Sequence, residues 1–238
     1  MKILIGHFGY LEILLIIFVP VAFLSLLTRF SVYRRYTPLA ISIIFVAPFY
    51  ILWDQLAVIY GTWSFNKANV IGLYFFHIPF EEVAFFLVVP FSTIFILEVL
   101  SGRIQGELNR QTVISAGISF SILLVIFGIV NISRSYTSIV SFFAAGSIIL
   151  GLSLNIDLML SKSLWLYMVI SYVPFIIFDH ILVTLPVFTY GKGAIIGLKI
   201  IGIPVEEFLY VFSLLLSYAI FYDLFRRRIG LEEKADTL

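Results

Sequence analysis

Residues 71–82 read Ile-Gly-Leu-Tyr-Phe-Phe-His-Ile-Pro-Phe-Glu-Glu, and residues 196–207 read Ile-Gly-Leu-Lys-Ile-Ile-Gly-Ile-Pro-Val-Glu-Glu. Seven of the twelve positions are identical, without a gap, at an offset of 125. The same offset carries Asp54, which follows Trp53, onto Asp179, which follows Phe178, and Glu98 onto Asp223. The chain has only 14 acidic residues in 238, so this many coincident acids mark a duplicated structural unit.

The residues around the duplicated stretch say where such a unit folds. The chain is 61% hydrophobic and 12% charged, with a mean hydropathy of +1.10. Soluble domains average about 25% charge, so this composition excludes a soluble globular enzyme and points to an integral membrane protein. A net charge of +1 gives no basic field for nucleic acid. The absence of cysteine removes thiolate catalysis, iron–sulfur clusters and disulfides. Apolar runs long enough to cross the bilayer lie at 4–27, 38–60, 70–100, 111–131, 135–160, 163–188 and 194–225. The third and seventh exceed the need, which predicts tilt, kinks or an extension beyond the lipid.

The repeat offset spans four crossings, an even number, so both halves insert with the same orientation. The expected fold is all-α and polytopic, with seven transmembrane helices. A three-helix repeat over 1–108 and another over 134–238 are joined by a connecting span at 109–133. Ten basic residues (Arg29, Arg34, Arg35, Arg103, Arg110, Lys162, Arg226, Arg227, Arg228 and Lys234) flank one side. Four (Lys2, Lys67, Arg134 and Lys192) flank the other. That bias predicts an outside N-terminus and a cytoplasmic C-terminus. Glu12 and the lack of a small-residue cleavage site argue that the first span is not a removed signal peptide.

Carboxyl groups at membrane depth are costly, roughly 2.5–3.5 kcal/mol each on insertion scales. This chain places Glu12, Asp54, Glu81, Glu82, Asp179, Glu206 and Glu207 there, against Lys199, His7, His77 and His180. With few counterions and a low dielectric, the neutral acid is the favoured form. A dry, protonated acid is a strong proton donor. Pro79 and Pro204 are expected to open the helix in front of each pair. His77 is expected on the helix face of Glu81, and Lys199 on that of Glu206. Glu81 is placed roughly 16 Å, and Asp54 roughly 9 Å, from the outer ends of their spans. Those heights suit one shared cavity. The plainer alternative is that the acids are interhelical hydrogen-bonding groups. Glu98 and Asp223, beside Arg103 and Arg226, read as boundary anchors. Most aromatics should face lipid or core, with a minority lining a cavity where π faces stabilise a cation. Gly191, Gly193 and Gly197 lack dinucleotide-binding spacing, and the sequence holds neither a metal-ligand pattern nor an evident cofactor motif. Lys199 lies shallow enough to snorkel, which argues against a retinal Schiff base.

Four pieces together resemble the membrane-embedded lycopene cyclase family: Trp53-Asp54, the run from His77 to Glu82, Phe178-Asp179-His180, and the run from Ile203 to Glu207. The chain looks like the form in which two homologous small subunits are fused. The resemblance implies a lycopene β-cyclase, which closes β-ionone rings by acid catalysis without net redox change. It implies Glu81, Glu82, Glu206 and Glu207 as acid and base, assisted by Asp54 and Asp179. Trp53, Tyr74, His77, His180 and Lys199 are the expected substrate contacts. The partners are lycopene and other carotenoids, the bilayer of the cell membrane and, as an open alternative, further copies of the chain. Carotenoid hydration, C50 cyclisation, proton-coupled transport and non-catalytic pigment binding are the competing readings.

Overall fold

A computed structural model describes residues 9–27 and 35–235, with side chains given through residue 230. Lys2, His7, Arg29 and Arg34 lie outside the described residues, as does the Lys234 side chain. Seven helices among the described residues are long and apolar enough to cross a membrane. They are α1 (Gly9–Leu26), α2 (Tyr36–Ile59), α3 (Phe80–Ser101), α4 (Arg110–Val130), α5 (Ser135–Leu154), α7 (Lys162–Thr184) and α8 (Val205–Ala235). A one-turn helix, α6 (Ile156–Leu160), follows α5. The protein is an all-α, multi-pass membrane protein.

The surplus length of the third and seventh apolar runs is not helix. Before α3 come β1 (Trp63–Phe65), a 3₁₀ turn (Lys67–Asn69), β2 (Tyr74–Phe75) and β3 (Ile78–Pro79). Before α8 come β4 (Phe188–Tyr190), β5 (Lys199–Ile200) and β6 (Ile203–Pro204). Two two-residue hairpins result, β2–β3 and β5–β6, built from residues 125 apart. Backbone bonds close each at matching positions, Phe80 N–H to the Leu73 carbonyl at 2.8 Å and Val205 N–H to that of Leu198 at 3.1 Å. The hairpins carry the exposed apolar residues Phe75, Phe76, Ile200 and Ile201, a pattern suited to the membrane interface.

Strands β1 and β4 pair antiparallel with Ser64 opposite Thr189. Those two residues are also 125 apart, so the two-fold relating the repeats passes through this pair. Their hydroxyls meet at 3.1 Å. At the opposite end of the bundle, Arg226 bonds Glu98 at 3.1 Å and Asp223 at 2.5 Å, joining the second pair of equivalent acids. Arg227 adds Asp223 at 2.7 Å, and Asn155 donates to the same carboxylate at 3.0 Å.

Between these ends α8 is the most buried helix, packed on α5 and α2, while α3 packs on α1, α7 and α2. The main core gathers Tyr50, Phe86, Ile148, Leu214 and Tyr218 around α8. A smaller cluster, with Tyr10, Leu14, Val70, Leu182 and Val187, ties α1 to the end of α7 beneath the two-stranded ribbon of β1 and β4. Helix α4 lies along α5, where Gly117 and Gly128 bring the backbone close to Ile148, Leu152 and Phe142, whose side chains would have to shift to admit a Cβ.

Candidate active site

The duplicated Pro-x-Glu-Glu begins a helix; it does not kink one. Pro79 is the N-cap of α3, with φ −65° and ψ 154°, and Glu81 and Glu82 fall in the first turn. Pro204 immediately precedes α8, whose first turn carries Glu206 and Glu207. Proline is accommodated here because the first-turn N–H groups have no intrahelical acceptor, and acids suit the positive end of the helix dipole. The expectation of a mid-helix opening, with Glu81 about 16 Å down its span, is therefore corrected. So is the shared helix face, because His77 and Lys199 lie in the hairpins and not on α3 or α8. Asp54, five residues before the end of α2, still reaches the level of the first turn of α3.

Within each pair the two glutamates do different work. Glu81 Oε1 accepts the Ile71 N–H at 2.6 Å, and Glu206 Oε1 accepts that of Ile196 at 2.8 Å. Thr137 adds a hydroxyl to Glu206 at 2.5 Å. These first glutamates fasten the loop leading into each hairpin, and both are essentially fully buried. Their other oxygens have no partner among the described residues. The second glutamates accept from tyrosines: Tyr10 donates to Glu82 at 2.8 Å, Tyr136 donates to Glu207 at 2.7 Å, and Tyr190 donates to the same oxygen, Glu207 Oε1. Tyr10 and Tyr136 are each the second residue of their helices, α1 and α5. Burial and the neighbouring Glu207 push the Tyr190 phenol well above its ordinary range, so it remains a donor. Tyr210 approaches Asp54 at 3.5 Å, and the Asp54 and Glu82 carboxyl groups meet within hydrogen-bonding reach.

Asp54, Glu82, Asp179 and Glu207 all open into one cavity of about 290 Å³. That is at the small end of ligand pockets, which run roughly 300–1,000 Å³. An engineered apolar cavity of roughly 150 Å³ takes a benzene, so this volume suits roughly a dozen carbons. Among the described residues, eleven of the thirty that form the wall are aromatic, Trp63, Phe85, Phe178 and Tyr210 among them, and none is Lys, Arg or His. No nitrogen or hydroxyl donor among the described residues reaches Oδ2 of Asp54 or of Asp179. The ribbon roofs the cavity with Trp63, Phe65, Phe188 and Tyr190. Lower down the wall includes Pro20 of α1, Pro174 of α7 and Ile16, which is 62% exposed, so the cavity opens sideways to the lipid-facing surface.

The structure thus brings together four of the six acids read from the sequence and sets Glu81 and Glu206 behind them. Trp53 stacks edge-on against Trp63, just outside the wall. Tyr74, His77, His180 and Lys199 are exposed and do not line the cavity. His180 Nδ1 lies 2.9 Å from the Ile201 carbonyl, and Gln55, its equivalent in the repeat, donates to the Phe75 carbonyl at 2.7 Å, so both anchor hairpins. Glu12 is exposed on α1. The tyrosines Tyr10, Tyr136, Tyr190 and Tyr210 escaped the sequence reading. Tyr10 and Tyr136 are offset by 126, which an ungapped comparison at 125 passes over. Among the described residues no three histidine, cysteine or carboxylate side chains are grouped to hold a metal ion.

A family model described as "Lycopene cyclase" matches residues 9–100 and 133–225. No curated protein and no solved structure matches the chain.

Proposed function

The chain belongs to the lycopene cyclase family, and from that premise we propose that it closes β-ionone rings on the ends of lycopene, towards β-carotene. Its role is that of a lycopene cyclase in carotenoid biosynthesis. In the proposed reaction a carboxylic acid adds a proton to the terminal double bond. The resulting tertiary cation is attacked by the neighbouring double bond, forming the ring C–C bond. A carboxylate then removes the proton next to the ring cation. One proton enters and one leaves, so the step is an isomerisation and calls for no oxidant or reductant. No cofactor is evident in the sequence, and the proposed step draws its acid and base from the chain's own carboxyl groups.

The observation that carries this reading is the meeting of four carboxyl groups, with no cation among the described wall residues, in an aromatic cavity open to lipid. Low dielectric makes each proton transfer and each π–cation contact stronger than in water. Asp54, Glu82, Asp179 and Glu207 supply the acid and base, while Glu81 and Glu206 hold the scaffold. The charge bias of the loops supports an N-terminus outside the cell membrane, an orientation in which the cavity belongs to the outer half of the bilayer.

The test is expression in lycopene-accumulating cells with chromatography of the extracted pigments. The wild-type chain should convert lycopene to ringed products, and Glu82→Gln and Glu207→Gln should each lower conversion by about 10²-fold or more. Undiminished conversion by both variants would overturn the mechanism. Hydroxylated open chains in place of rings would overturn the reaction.

A further inference from the structure

The two halves are not equivalent around their acids, and the differences fall at matched positions. Tyr190, which donates to Glu207, corresponds at the offset of 125 to Phe65. Glu207 Oε1 therefore receives two phenolic hydroxyls, whereas among the described residues a single phenolic hydroxyl, that of Tyr10, reaches Glu82. Likewise Tyr210, which faces Asp54, corresponds to Phe85, and Asp179 has no hydroxyl in that place. An oxygen that takes two O–H donors has no proton of its own to give in those directions. That is the surrounding of a carboxylate. Asp54 and Glu82, by contrast, face each other carboxyl to carboxyl, a contact that is attractive only with a proton between them.

We propose that Glu207, held by Tyr136 and Tyr190, is the base of the cyclisation, and that the Asp54–Glu82 pair is the acid. This rests on the cyclase reading above and deepens it. The pair, with a proton on each carboxyl, gives one to the terminal carbon–carbon double bond and keeps the other between its oxygens, leaving the pair as an anion. The ring closes and Glu207 takes the proton from the carbon beside the cation as the new double bond forms. Between turnovers Glu207 gives its proton up to the solvent and the pair regains one from it, so none is gained or lost overall. Until it takes that proton the Glu207 anion also sits opposite the carbocation and stabilises it. Tyr136 and Tyr190 are positioning residues, acting through Glu207.

The assignment is tested with purified protein in detergent, using lycopene in D₂O and mass analysis of the pigments. Wild type should place one deuterium in each ring; a wild type that forms no ring overturns the cyclase reading and not this assignment. Glu82→Gln should leave lycopene unringed and free of deuterium. Glu207→Gln should still deuterate the polyene but release rings with a displaced double bond, or hydrated ends, because proton removal has lost its acceptor. The reverse pattern, or identical unlabelled lycopene from both variants, overturns the assignment. Tyr190→Phe keeps the ring of the side chain and removes one donor. It should move the acidic limb of the rate–pH profile about one unit towards higher pH. Tyr74→Phe, outside the cavity, is the control and should leave that limb in place. A fall in rate with an unmoved limb would mean that Tyr190 serves only the fold.

Discussion

At the scale of single residues, neighbours in sequence diverge in duty because adjacent positions in a helical turn point about 100° apart. Glu81 and Glu206 turn towards backbone N–H groups of their own loops, and Glu82 and Glu207 turn into the cavity. A glutamine still accepts a backbone N–H. Glu81→Gln and Glu206→Gln should therefore keep cyclase activity within about threefold, against the losses of about 10² or more expected at Glu82 and Glu207. Glu81→Ala, which strands the Ile71 N–H, should cost about 1–3 kcal/mol of stability, read as a lowered midpoint in detergent melts. The sequence made the acids conspicuous, because ionisable groups are rare in lipid. It hid the tyrosines, because a phenol inside an apolar span scores as one more aromatic residue until its hydroxyl is seen to have a partner.

At the scale of elements, the hairpins and the ribbon position the acids. Hydropathy alone reads Val70–Phe80 and Ala194–Val205 as the starts of helices, since their residues are as apolar as the spans that follow. The punctuation was present: Gly72 and Gly197 take φ of +83° and +85°, and the prolines stand where the helices begin. A sliding window averages both away. Gly191 offers the sharper test. A Cβ there would run into the Gly61 carbonyl, where the strand crosses its partner most closely, while Gly193 has open space and only its φ of +75° to defend. Gly191→Ala should displace β4 and with it Tyr190, lowering both melting temperature and pigment conversion. Gly193→Ala should cost only about 1 kcal/mol with conversion retained.

At the scale of the molecule, the duplication was legible as a count of spans, and its meaning for packing was not. The same offset that aligned Glu98 with Asp223 now shows them bridged by one arginine at the end of the bundle far from the ribbon. Removing that arginine leaves two carboxylates, each under 5% exposed, with Arg227 and Asn155 serving only one of them. Arg226→Ala should destabilise the chain by about 3 kcal/mol, and adding Glu98→Gln should recover part of the loss in the same melts. The cavity, finally, is small and open on one flank. Space for roughly a dozen carbons, by comparison with a benzene-sized void, admits one tip of a C40 polyene and leaves the remainder trailing among the acyl chains. Such a site has no means of gripping both tips in a single visit. On the reaction proposed above, half-finished pigment would back out, turn end for end and return. A time course with reconstituted enzyme and excess lycopene should show the one-ringed compound rise and then fall before the two-ringed one dominates.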